Sequence, residues 1–264
     1  MQALRYITKK KRQCQLCSLL FLLSSCSSLE WIIELDRTES IKKNVSFGRE
    51  KRNSLLFFIQ NVYDEFVGVN KSSISKYSAP SKMYLNSLIK RDERGDDLKL
   101  DFNFYLWRVD EPFYFVSPDR DVIFTRGFVD RFLQTEDILK VVLIECYLRN
   151  KYSVYNFKDS YPTGFKTISD LSSLLQVGLK DKGLLNKWVY TQLKKNKIDT
   201  NSILYWMQEK IRADMGAYYI ASNRSESLKE EQYIKEYLLQ QGIYNEEEEF
   251  NLQSKKFFKF KREN

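Results

Sequence analysis

The sequence predicts an α+β fold, mainly helical, in which a small β-sheet precedes a central buried helix. Three observations predict it. Thr135 to Lys151, TEDILKVVLIECYLRNK, is the only long segment apolar on nearly every face. Leu139, Val142, Leu143, Cys146 and Tyr147 fall at helical spacing there, and Ile138, Val141, Ile144 and Leu148 fill most of the remainder. Ahead of it, Leu98, Leu100, Phe102 and Phe104 alternate with Lys99, Asp101 and Asn103, the period of a half-buried strand. The rest of the apolar residues recur mostly at helical spacing.

For the central helix, Thr135 suits the N-cap, Glu136 and Asp137 the positive end of the helix dipole, and Arg149 and Lys151 the negative end. Glu145 lies within the buried stretch, and a carboxylate there needs a partner. Upstream, a first helix is expected over about Arg52 to Val67, with Leu55, Phe58, Ile59, Val62 and Phe66 on one face. VNKSSISKYSAPS reads as a loop, about Ser81 to Arg91 as a second helix and KRDERGDD as a charged turn. The strand from Leu98 continues through Trp107, and a β segment surrounds Pro118, with Phe113 to Val116 before it and Val122 to Thr125 after. Beyond the central helix, Tyr152 to Lys166 reads as a loop. Helices follow at about Ile168 to Leu179, Leu184 to Lys194, Ser202 to Ala221 and Glu226 to Gln241.

The 264 residues, 43% of them hydrophobic, suffice for a sizeable core. Five of the eight net positive charges come from Arg5, Lys9, Lys10, Lys11 and Arg12, which leaves +3 for the remainder, a balance that does not point to nucleic acid. The chain contains no histidine. That removes imidazole as a metal ligand, as the base of a Ser or Cys triad and as a proton shuttle near neutral pH.

Residues 1–25 read as a signal peptide: basic KKKR, then the apolar run Leu16 to Ser25, too short to span a bilayer. Leu23-Ser24-Ser25-Cys26 resembles the lipobox of bacterial lipoproteins, which implies acylation at Cys26 and attachment to a membrane of the cell envelope, facing periplasm or cell surface. Cys14 and Cys17 fall inside the segment to be removed, so only Cys26 and Cys146 would remain, and no intramolecular disulfide is available. Residues 26–48 read as a tether, 49–242 as the folded domain and 243–264 as a charged tail. In the tail, Lys255, Lys256, Lys259, Lys261 and Arg262 with Phe257, Phe258 and Phe260 would suit an anionic membrane surface, or simply fray in solvent.

Read together, the order helix, helix, strand, Pro turn, strand, Gly, buried helix resembles the HtpX and CAAX-prenyl-protease type of zinc metallopeptidase. In that family a Pro-Gly-Gly-x-Ile-x-Val-x-x-Gly-Leu stretch precedes a helix bearing H-E-x-x-H. Pro118 to Phe128, PDRDVIFTRGF, is similar to it without a gap, save that both turn glycines are replaced. Ala213-Asp214 resembles the end of the family's E-x-x-A-D segment, which supplies a third zinc ligand and a supporting Asp. The resemblance covers about Arg49 to Asn223 and implies a zincin-like fold.

It also implies where the zinc site would stand. One register lays H-E-x-x-H over Ile144-Glu145-Cys146-Tyr147-Leu148, keeping only the glutamate. The other, preferred, lays it over Glu145-Cys146-Tyr147-Leu148-Arg149. Lys210 stands at the third ligand, and Asp214 keeps its type. Both registers lack both histidines, so no zinc, no other cofactor and no catalytic residue is expected. In the preferred register Glu145 and Arg149 form an i, i+4 pair, and Lys210 is expected to join them in an ion-pair cluster replacing the metal. The strand Asp121 to Arg126, through Val122, Ile123, Phe124 and Thr125, is expected to offer an open edge to an extended peptide.

Three functional readings result. The first is an inactive metallopeptidase-like lipoprotein that binds an envelope protein or peptide, or acts as a scaffold. The second is an unrelated helical lipoprotein with a structural or interaction role. The third is a hydrolase using other residues, such as Cys146 or a Glu145 and Asp214 pair.

Overall fold

The computed structural model describes residues 49–91, 98, 100–156, 167–212, 224–240 and 253–263. The expected signal peptide, Cys26, the tether, Asp214 and the acidic part of the tail lie outside the described residues. The chain divides into two units, Met1–Leu55 and Leu56–Asn264. Of the first, only the start of a helix is described.

The elements, in order, are α1 (Arg49–Val69), β1 (Ile74–Lys76), α2 (Ala79–Ser87), β2 (Asn103–Trp107), β3 (Tyr114–Val116), β4 (Asp121–Thr125), α3 (Arg126–Arg131) and α4 (Glu136–Tyr152). Then follow α5 (Ile168–Leu175), α6 (Leu179–Lys195), α7 (Ser202–Arg212), α8 (Arg224–Gln240) and α9 (Lys255–Lys261). The chain is thus α+β and mainly helical, with a small mixed sheet of four strands ahead of the central helix.

The sheet runs in the order β1-β2-β4-β3, with β2 and β4 parallel and the outer pairings antiparallel. Because successive side chains point to opposite faces, β2, β3 and β4 each serve two cores. Phe104, Leu106, Tyr114, Val116, Val122 and Phe124 enter the larger core, shared with α4, α6, α7 and α8. Trp107, Phe113, Phe115 and Ile123 enter the smaller one, closed by Ile59, Tyr63 and Phe66 of α1 and Leu171 and Leu174 of α5. The sheet is therefore covered by helices on both faces, which is why β4 is apolar without alternation.

β1 falls within the stretch expected to be a loop. Of its three residues only Ile74 favours a strand, and pairing with β2, Ile74 opposite Trp107, holds them. The Trp107 indole N–H donates to Ser73 Oγ at 2.9 Å. α2 starts behind the N-cap Ser78 and stops at Ser87, short of the expected Arg91.

Two corrections concern what is exposed. β4 is an interior strand, paired to β2 on one side and β3 on the other, with Val122, Ile123, Phe124 and Thr125 fully buried. The expected open edge at these residues is thus excluded, because their ladder hydrogen bonds are already used. The edges of the sheet are β1 and β3. Likewise the end of the expected charged tail is docked. Phe257 and Phe260 of α9 sit in the larger core, the latter against Tyr77 with ring centroids 5.2 Å apart. Ser254 N donates to Glu136 Oε2 (3.1 Å), and Glu263 accepts from Ser78 Oγ (2.6 Å) and Ser81 Oγ (2.5 Å).

Candidate functional site

α4 begins where Thr135 Oγ1 accepts from Ile138 N–H at 3.2 Å, and ends at Ser153, which takes φ 54° and donates to the carbonyls of Arg149 and Asn150. Between these caps, residues four apart share a face. Glu145 and Arg149 use that spacing: Arg149 Nε donates to Glu145 Oε1 at 2.8 Å, and both side chains are more than nine-tenths buried. Arg149 Nη1 also donates to the carbonyls of Val154 and Leu175, each at 3.2 Å, so one guanidinium ties the end of α4 to the end of α5.

The Tyr114 phenol, from β3, faces the Glu145 carboxylate. Burial pushes the Glu145 carboxyl up, but the charges of Arg149 and Lys210, with the hydrogen bond from Arg149, outweigh it and hold the carboxyl below its ordinary range. Tyr114 is pushed well up, by burial first and by the Glu145 charge second.

Lys210 approaches this site without joining it. Its Nζ lies 3.4 Å from Glu230 Oε1 on α8 and 5.4 Å from the centre of the Trp206 ring. Asn186 of α6 donates to the same Glu230 oxygen at 2.8 Å, and Lys182 pairs with Glu226 at 3.5 Å. The expected three-membered cluster is thus corrected to two: Glu145 with Arg149 beside Tyr114, and a second joining α6, α7 and α8. Lys210 acts on Glu145 through space only. Tyr114, Lys182, Asn186 and Glu230 escaped the sequence reading. Glu230 left a trace, because it precedes Ile234 and Leu238 at four-residue spacing on the buried face of α8.

The turn before β4 bends without a glycine. Arg120, where the resemblance has its second turn glycine, takes φ 66°. Asn150 Nδ2, from the last turn of α4, donates to the carbonyls of Ser117 (2.9 Å) and Pro118 (2.8 Å), fixing the turn on the helix. Gly127 donates to Val109 O at 3.0 Å, and a Cβ there would stand 1.9 Å from the Asp110 carbonyl oxygen. No other residue fits without moving that backbone.

Neither register of the motif leaves a zinc-binding donor set. Ile144 and Leu148 are core residues, and Glu145 is engaged by Arg149. Lys210, where the resemblance implies a third ligand, is a cation. The described residues include no group of three or more Cys, Asp or Glu placed to hold a metal ion. Cys146 is fully buried, and burial and the neighbouring Glu145 charge push its thiol up, the reverse of an activated nucleophile. No described helix is long and apolar enough to cross a membrane. No protein-family model matches the chain, and no curated protein matches it significantly.

Proposed function

We propose that this chain is a membrane-anchored lipoprotein of the cell envelope, with a zincin-like domain that binds or scaffolds another envelope protein or peptide and hydrolyses nothing. The observation that carries this reading is the buried Glu145–Arg149 pair, which occupies the positions of the two histidines in the preferred register. A guanidinium hydrogen-bonded to the neighbouring carboxylate repels a metal ion where the family holds one. The positive φ at Arg120 and the close approach at Gly127 support the same alignment, since both fall where the family's stretch has glycine.

The hydrolase alternative is weakened by the depth of Cys146, which offers neither access nor a base. Metal analysis of the purified full chain and digestion of a peptide library test the central claim. Both are expected to be negative, and one tightly held zinc per chain, lost together with proteolysis on chelation, overturns it. Fatty-acid incorporation, present in the wild type and absent in Cys26→Ala, tests the anchor separately.

A further inference from the structure

The basic, Phe-rich motif at the C-terminus is not absorbed by the reading above, and its docking gives it a fixed orientation. Phe257 and Phe260 are sunk in the core, and Lys261 Nζ is turned inward onto the carbonyl of Leu133 at 3.0 Å. Glu263, the only acid among residues 253–263, is held by Ser78 and Ser81. What α9 and its C-cap leave outside is therefore one-sided: Lys255, Lys256, Lys259 and Arg262, with Phe258 among them, 51% exposed. No described carboxylate lies within ion-pair distance of these four cations.

We infer that this face of α9 is a second membrane contact, resting on an anionic lipid surface with Phe258 inserted at the headgroup level. Four cations around one aromatic suit such a surface for two reasons. Basic side chains near anionic lipid each strengthen binding about fivefold, and aromatic rings partition to the headgroup boundary. A fixed helix also loses no folding entropy on contact, unlike a frayed tail. With one lipid anchor giving attachment but no orientation, a second contact would set which side of the domain faces outward. The inference goes beyond the proposed binding role and does not need the Cys26 acyl group.

The test is amine-reactive labelling of the full chain mixed with vesicles of phosphatidylglycerol and, separately, of phosphatidylcholine, with flotation followed in parallel. Lys255, Lys256 and Lys259 should be protected several-fold by the anionic vesicles alone, and the protection should vanish in 1 M salt, where the Debye length is about 3 Å. Exposed Lys194 and Lys229 should label alike throughout. Phe258→Ala and the triple Lys→Gln change at 255, 256 and 259 should weaken binding to the anionic vesicles, the latter about a hundredfold. Equal labelling with both vesicle types, while the chain floats with both, overturns the inference and leaves the anchor standing. Flotation with anionic vesicles alone, lost in the triple variant, supports the contact and counts against the anchor. Flotation with neither overturns both, and equal protection by duplex DNA or an acidic protein overturns the lipid assignment.

Discussion

Glu145→Ala should be among the most destabilising single substitutions in this chain. The change leaves the Arg149 guanidinium in the interior with two carbonyl acceptors and no counter-charge, because Lys210 and its partner Glu230 belong to another cluster. Stranding one member of a buried pair costs about 3–5 kcal/mol. At a urea slope of about 2–3 kcal/mol/M the unfolding midpoint should fall by about 1–2.5 M with the slope unchanged. Glu145→Gln keeps the shape and an acceptor, so its cost should be smaller. Arg149→Met alone strands the carboxylate instead, while the Glu145→Ala, Arg149→Met double variant strands no charge, only the Val154 and Leu175 carbonyls, and should cost about 1–3 kcal/mol less than the two single changes added. Urea melts followed by circular dichroism measure all four variants against the wild type. An effect below about 0.5 kcal/mol for Glu145→Ala, or strict additivity of the pair, refutes a buried, coupled ion pair.

The remaining predictions concern other parts of the fold. The Glu145 carboxyl is held below its ordinary value of 4.5, so the unfolded chain takes up the proton first; stability present above that value should be lost as pH falls below it, and Glu145→Gln should flatten this loss in melts at stepped pH. Gly127→Ala should destabilise by about 1–3 kcal/mol or more, seen as a lower thermal midpoint, because its Cβ meets the Asp110 carbonyl. Phe260→Ala should cost about 3–5 kcal/mol in the same melts, whereas a frayed tail predicts no change. Lys210→Met should couple more strongly to Glu230→Gln than to Glu145→Gln in a double-mutant cycle, since only Glu230 is within ion-pair distance.

The sequence by itself determined the central helix nearly to the residue, together with its N-cap at Thr135, because an all-round apolar run with a capping Thr and acidic first turn is a local signal. It also determined that Glu145 needed a partner and that Arg149 was within reach, since i, i+4 spacing on a helix brings side chains together whatever surrounds them. The alternation from Leu98 announced a strand here, but β2 starts only at Asn103, where pairing with β4 begins, so its first half was misread. Tertiary structure decided everything that depends on who lies opposite. β1 exists because β2 pairs with it, and β4 is interior because β3 folds back beside it, so an apolar strand taken for an edge is closed on both sides. Lys210 meets Glu230 only because α7 and α8 are neighbours, a contact twenty residues apart that no periodicity encodes. The same holds for α9: KKFFKFK reads as a basic tail from composition, and only the space between α2 and the start of α4 makes Phe257 and Phe260 core residues and leaves the lysines on one face.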